Sequence, residues 1–475
     1  MANEIQNPYP FFTDKAGNAL EAGKIYIGIE NENPETNPQE VFWDEELTIP
    51  AVQPIRTSGG YPVYNGTPSN FYAAANYSIR VRTKANELVY SSLDESSDLG
   101  GLLSVDSIAA LKDLSSGSLT DGQTVYVTGY ASPNDGGQGM FRWDESSAET
   151  DNGGTIISLN DSPGTGRMER MFIEYKPEMF GAFPDGSDVS TIMQSMLTLA
   201  QTDKKSIQLG FGTYNMAAGT WIFTGPIVVY GLGNQNTKLA WTKTSGNAIE
   251  IGGFNAGFFG LRLRDFAIEG PSNANTPTPT QSTVGIQINP PGTSSPNTTN
   301  GVFEAIDISQ FFIGIQTTRS WNWSMKDCLV RLCSTCLDFN IIDTVLLSRC
   351  SFNTSRIFVD ATTGGGLQFA DCNFNNSSLT AGEGYCIDIF QALAQFNNCY
   401  FENVSADGAI GIGHGAVEAP ESRSCVIVQG GEKNGTESFI VLGDTRIGVS
   451  VDKVRTENGD LFIHPTGFDT SNPGT

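Results

Sequence analysis

The chain has 475 residues, of which 39% are hydrophobic and only 17% charged, with 53 glycines and 22 prolines. That length exceeds one compact core, and the composition fits short strands joined by frequent turns, so several β domains or a repeat array are expected rather than long amphipathic helices. Lys and Arg total 27 against 52 Asp and Glu, a formal net charge of -25, which disfavours nucleic acid or an anionic membrane surface as a partner.

No apolar run reaches about eighteen residues, and the opening Met1 to Pro8 lacks a basic segment ahead of an apolar one, so neither a membrane span nor a secretory signal is expected. The chain is expected to be made in a cytoplasm. All eight cysteines fall between Cys328 and Cys425, mostly inside apolar strand-like runs, which suits buried reduced thiols better than a disulfide framework. Cys333 and Cys336 have the spacing of a zinc or redox half-site but lack a second pair, so no metal or cofactor is expected.

Residues 24–28, 49–55 and 77–82 alternate apolar and polar side chains, and Asn65-Gly66 marks a tight turn, so residues 1–97 are expected to form a small β domain. Gly23-Lys24-Ile25-Tyr26-Ile27-Gly28, then Gln53-Pro54-Ile55-Arg56-Thr57-Ser58-Gly59-Gly60 and Tyr64-Asn65-Gly66, resemble the head-binding domain of phage tailspikes found on short-tailed Salmonella phages. That resemblance implies a trimeric, non-catalytic β domain that fixes the chain to a virion tail.

Residues 98–178 read as a connector: a linker over 96–103, a short helix over 105–111 and a strand over 123–128. The glycine-rich Asp135-Gly136-Gly137-Gln138-Gly139 is followed by no helix pattern and no Lys-Ser/Thr pair, which argues against a phosphate loop. The block from Gly129 to Ala182 resembles the connector of tailspikes, and the resemblance implies that Phe180-Gly181-Ala182 with Asp185-Gly186 introduces a capping helix. Asp188 is expected as its N-cap, with Ile192, Met196 and Leu199 on its apolar face, covering the open end of a strand stack in residues 179–475.

From Ser206 onward the sequence repeats. Apolar triplets begin at Phe266, Ile306, Cys328, Cys350, Cys372 and Cys399, spaced 40, 22, 22, 22 and 27 residues apart. A second set, Ile313-Gly-Ile315, Leu337-Asp-Phe339, Ile357-Phe-Val359 and Ile387-Asp-Ile389, recurs inside the units. A period near 22 with two or three short strands per unit predicts a right-handed parallel β-helix, expected to be trimeric by the resemblance. Period-two alternation turns the cysteines inward and places Asp265, Asp327, Arg349, Asp371 and Asn398 in one outward row, with Asp307, Asn373 and Tyr400 in another. Residues 271–299 read as a long lateral loop.

Glycoside hydrolysis needs two carboxyl groups about 5–5.5 Å apart for retention or about 6.5–9.5 Å apart for inversion. Coils stacked about 4.8 Å apart place outward carboxylates one or two coils apart near those distances. Asp338 and Asp388 sit in the middle of second-set triplets and Asp360 at a strand exit between them, which makes the three the leading acid/base candidates. Asp327, Asp371 and Glu402 form a second set. Tyr385, Tyr400 and Trp321 are candidate sugar-stacking residues, with Trp323 beside them, although aromatics at this spacing more often serve as core or trimer interface. An outward Asp on an acidic solenoid usually serves only to keep the surface hydrated and prevent lateral aggregation. His414 reads as a turn histidine.

The resemblance implies a virion tail spike that recognises and cleaves a bacterial surface polysaccharide, O-antigen or capsule, with endoglycosidic hydrolysis favoured over elimination. The alternative is a non-enzymatic trimeric attachment or adaptor spike. It is favoured by the short stretch beyond Val451, where a C-terminal trimerisation module is not evident.

Overall fold

The computed structural model describes residues 10–95, 103–252, 260–271, 281–290, 298–380, 383–404, 409–412, 424–434, 439–442, 447–452, 454–456 and 463–465. The chain divides into two compact units, Met1–Leu102 and Leu103–Thr475.

The first unit is built on Lys24–Ile29, which pairs antiparallel with Ile55–Ser58 on one side and Tyr77–Arg82 on the other. Its alternation buries Ile25 and Ile27 against Leu20, Val41, Ile55 and Val81. Gln53 closes the sheet, because its amide nitrogen donates to the Ile27 and Gln39 carbonyls at 2.9 and 2.6 Å while its amide oxygen accepts from the Ile27 N–H at 2.6 Å. The Gln53-Pro54 motif thus has a local structural job.

The second unit opens with a five-stranded sheet around Gly139–Asp144 and Arg167–Met171, with its own core of Ile108, Leu111, Val125, Phe141, Trp143 and Met168. The short helix is Ile108–Lys112, later than expected, because Leu103–Val105 pairs as a strand and Ser107 caps the helix by accepting from the Ala110 N–H at 3.1 Å. In the glycine-rich turn the Asp135 carboxylate accepts from the backbone N–H groups of Tyr130, Ala131, Ser132 and Gly137. These amides, which a phosphate loop would offer to an anion, already hold an internal one.

The helix Ser190–Asp203 follows, and two expectations change. Val189, not Asp188, is its N-cap residue, although Asp188 still accepts from the Ser190 N–H at 2.9 Å. The buried face is Met193, Met196, Leu197 and Ala200, with Ile192 and Leu199 only partly covered. It packs beside Trp221, whose indole N–H donates to the Met193 carbonyl.

Beyond the helix a parallel solenoid runs from Ile207 to the last described strand. Corners rather than strands explain its regularity. Asp265, Ala305, Asp327, Arg349, Asp371 and Asn398 all adopt left-handed backbone with φ between 50° and 64°. Asn300, Asn322 and Thr344, with Gly366, form a second such line at exact 22-residue intervals, and Gln310, Leu332, Thr354, Asn376 and Asn403 form a third. Left-handed backbone disfavours most side chains, and Asn and Asp tolerate it best, which accounts for their frequency here. The first line is held coil to coil: the N–H groups of Asp327, Arg349 and Asp371 donate to the carbonyls of Ser348, Ala370 and Asn397 at 3.0, 2.9 and 2.9 Å.

The corners shift the expected strands by one residue. Cys328, Cys350 and Cys372 follow a corner residue, and the strands begin after them at Leu329–Arg331, Ser351–Ser355 and Asn373–Ser377. The cysteines still point inward, with Cys328, Cys350, Cys372 and Cys399 at most 2% exposed. Each thiol lies within hydrogen-bonding reach of the carbonyl two residues earlier, 3.3 to 3.5 Å away. Phe352, Phe374 and Phe401 stack at 5.1 Å centroid spacing in the adjoining core ladder.

Two further expectations are corrected. Within 271–299, Ser282–Ile288 is no lateral loop but an almost wholly buried strand paired to Ser245–Ile251 and Ile313–Thr317, with the polar Thr283 and Gln287 buried along with Val284, Ile286 and Ile288. Asp307 does share a row with Leu329, Ser351, Asn373 and Tyr400, but it is 2% exposed, lying under the Arg331 guanidinium at 2.9 Å.

Candidate active site

The face formed by residues 313–317, 335–339, 357–361 and 387–389 carries the three aspartates. Gln316 pairs with Asp338, Asp338 with Asp360, Asp360 with Asp388, and Asp388 with Gly411. Leu337 and Phe339 on either side of Asp338 are fully buried, as are Val359 and Ala361 beside Asp360 and Ile387 and Ile389 beside Asp388. Alternation therefore turns all three carboxyl groups to the outer surface, on one line, about 4.8 Å apart per coil. Asp360 is a mid-strand residue in register with the other two, not the strand-exit residue expected, because Thr335–Ser348 and Ile357–Ala370 are continuous strands of 14 residues.

These carboxyls are half-buried rather than freely hydrated. Burial raises Asp338, opposed by the Gln316 amide, which donates to its Oδ2 at 2.6 Å. Burial and then the Asp338 charge raise Asp360. Burial and then the Asp360 charge push Asp388 up to about 7, and its Oδ1 is buried without a hydrogen-bond partner. Closely spaced carboxyls without a cation between them resist ionising together. Such a row supplies what glycoside cleavage requires, a protonated carboxyl beside an ionised one.

Of the candidate aromatic residues, the structure brings Tyr385 to this row. A Cβ built on Gly411 would stand 2.1 Å from the Tyr385 ring, so the ring lies directly over the rung next to Asp388. Tyr400 is on a different face, paired with Asn373. Trp321 is 38% exposed on a third row with Asp343, its ring 5.5 Å from the Arg319 guanidinium. An open groove beside it is lined by Asn300, Asn322, Thr344, Leu346, Gly366 and Gln368 among others. Trp323 is core, 5% exposed, with its indole N–H bonded to Ser320 Oγ at 2.9 Å.

The second set of acids is differently placed. Asp327 and Asp371 are corner residues, Asp327 gripped by the Arg349 fork at 2.7 and 2.9 Å and Asp371 bonded to the Asn398 amide at 2.7 Å. Glu402 lies on the Asn373 face, in register with Asn375. His414 lies outside the described residues. Among the described residues no cluster of His, Cys, Asp and Glu is arranged to hold a metal, and no helix is long and apolar enough to cross a membrane.

Gln316 is the residue that sequence reading missed. It stands 22 residues before Asp338, as Asp338 stands 22 before Asp360. Aligning Ile313 with Leu337 hid this, whereas the true rung is Ile315 with Leu337.

Residues 104–173 match the family model described as a phage tail protein small four-stranded beta-sheet domain. No curated protein sequence matches the chain. Among solved structures, the chain is similar to the enzymatically active domain of tailspike protein 2 of bacteriophage CBA120, at 17% identity and a TM-score of 0.59 over 76% of this chain and 57% of that one. Full-length tailspike protein 2 of an Escherichia coli O157:H7 bacteriophage aligns at 15% identity and a TM-score of 0.52 over 90% and 60% of the two chains. The tailspike of Acinetobacter phage vb_AbaP_AS12 aligns at 12% identity and a TM-score of 0.52 over 79% and 78%. The chain thus spans 57% and 60% of the length of the first two. Taken with the geometry above, these likenesses establish the fold: a phage-tail β module leading into a parallel β-helix of the tailspike type.

Proposed function

We propose that the protein is the tail spike of a bacteriophage, held to the virion through residues 1–97, and that it hydrolyses a bacterial surface polysaccharide at the Asp338–Asp360–Asp388 row. The observation that carries this reading is the row itself: three half-buried carboxyls in register on successive coils, the last pushed up to about 7. Fold likeness to tailspikes, one of them an enzymatically active domain, supports the setting.

Asp388 acts as the proton donor to the glycosidic oxygen, and an ionised neighbour supplies the second carboxylate. Asp360 is one coil away, about 4.8 Å, close to the separation for retention; Asp338 is two coils away, about 9.6 Å, close to that for inversion. Tyr385 offers a ring face for a sugar next to Asp388. No cofactor or metal enters the scheme. The working spike is a homotrimer, as the resemblance of its N-terminal motifs to the trimeric head-binding domain of tailspikes implies.

The test is incubation of purified protein with a panel of host O-antigens and capsules, reading new reducing ends together with the ultraviolet absorbance of unsaturated uronates. New reducing ends without absorbance support hydrolysis, and the anomer first released, read by proton NMR, identifies the working pair. Absorbance rising in step points to elimination. Binding without cleavage, in a panel containing the true host polysaccharide, supports the attachment-only spike. Light scattering showing a monomer of the full chain overturns the trimer.

A further inference from the structure

The carboxyl row has unlike ends. At one end Gln316 turns an amide N–H onto Asp338 Oδ2 at 2.6 Å. At the other end the next rung is Gly411, and the Tyr385 ring fills the space that its Cβ would take. Gly411 is not at a positive-φ position, so the ring, not the backbone, is what requires glycine there. A donor stabilises an ionised carboxylate, whereas an aromatic ring removes water and offers no N–H.

We propose that Gln316 and Tyr385 are positioning residues that polarise the row, fixing the negative charge at the Asp338 end and the proton at the Asp388 end. This rests on the reading of the row as the cleavage site, but the polarity belongs to the apo protein. Asp388, with Oδ1 buried and unpartnered, keeps its proton for the leaving oxygen. The donated proton leaves Asp388 ionised, and water restores it: the attacking water of the second step in the retaining pairing with Asp360, bulk solvent after product release in the inverting pairing with Asp338. Asp360 lies between the two and ionises second, because the Asp338 charge opposes its ionisation. The charge that opposes ionisation is that of Asp338 at Asp360 and that of Asp360 at Asp388, and the titratable Tyr385 lies at the next rung. Arg356, just before the middle strand, is paired with Glu383 at 3.2 Å.

The test needs no substrate. Infrared titration of the full chain carrying carbon-13 at its aspartate carboxyls, taken as differences between wild type and each single Asp→Asn variant, yields the midpoints of Asp338, Asp360 and Asp388. The expected order is Asp338 lowest and Asp388 highest. Gln316→Leu should raise the Asp338 midpoint by about one pH unit or more, the scale of a lost charge-assisted hydrogen bond, and leave Asp388 highest. Tyr385→Ala should lower the Asp388 midpoint and leave Asp338 within about 0.3 unit, well under that one-unit scale. Gly411→Ala, which expels the ring by a second route, should repeat the Tyr385→Ala result. If Gln316→Leu does not fold, Gln316→Glu keeps the shape and should raise Asp338 further. A reversed order, or an Asp338 midpoint unmoved by both Gln316 variants, overturns the proposal. A row that titrates as expected in a protein that cleaves nothing leaves the polarity standing and removes the catalytic reading instead.

Discussion

Two sets of acidic residues lie on successive or alternate coils of the same solenoid, and their surroundings are opposite in kind. Asp327 and Asp371 sit at left-handed corners, where the chain bends outward and long side chains from the neighbouring coil can reach them. Arg349 grips Asp327 with both arms of its fork, and that hydrogen bonding, with the guanidinium charge, holds Asp327 below the usual carboxylate range. Asp338, Asp360 and Asp388 sit within strands on one face, where the rung above or below is another Asp and burial dominates. Residue type is alike, so the difference comes from which side chain occupies the adjacent coil, Arg349 or another Asp, and how much water reaches it.

The largest expected effect separates the two sets by activity. Asp388→Asn should lower polysaccharide cleavage by about 10²–10⁴-fold, the usual contribution of a general acid, with binding retained. Cleavage measured against pH should fall as pH rises through about 7, where Asp388 loses its proton. It should also fall on the acid side as its carboxylate partner becomes protonated. An Asp388→Asn enzyme retaining cleavage within about twofold of wild type makes the Asp338–Asp360–Asp388 row as ordinary as the corner residues.

Stability gives the second contrast. The folded Asp388 value, about 7, lies above its unfolded value of 3.8, so the native state holds the proton more tightly than the unfolded chain does. Its favourable contribution is complete below about pH 4 and is lost as pH rises towards about 7. Asp388→Asn should therefore stabilise the protein at pH 8 by on the order of 1–3 kcal/mol in urea unfolding, with little change at pH 4. The Asp327 contribution has the opposite sign with pH, because its folded value is depressed and its stabilisation is lost as pH falls through it.

Directly inside the corner line, Cys350→Ser should cost about 1–3 kcal/mol, because a hydroxyl replaces a thiol in an apolar ladder. The thiols of Cys328, Cys350, Cys372 and Cys399, all at most 2% exposed, should resist a thiol reagent until denaturant is added. Labelling within seconds in native buffer would contradict the corner geometry. The smallest effect belongs to the corner itself: Asp327→Asn keeps the left-handed preference and removes only an exposed ion pair. It should change stability by less than about 1 kcal/mol and leave cleavage untouched.

The sequence alone determined the repeat, the all-β class, the inward cysteines and the membership of the carboxyl row. Each follows from local regularity, since a 22-residue period and a two-residue alternation survive without knowledge of any contact. It misjudged where strands begin, because a left-handed corner such as Arg349 is one residue long and leaves no apolar signature. It also read the buried strand Ser282–Ile288 as part of a loop, because proline-rich and threonine-rich flanks outweighed seven residues of strand. The tertiary structure alone decided the partners. Whether an aspartate meets Arg349, Gln316 or another aspartate depends on which residue lies one coil away. A shift of two residues in aligning the repeats was enough to hide Gln316 from its row.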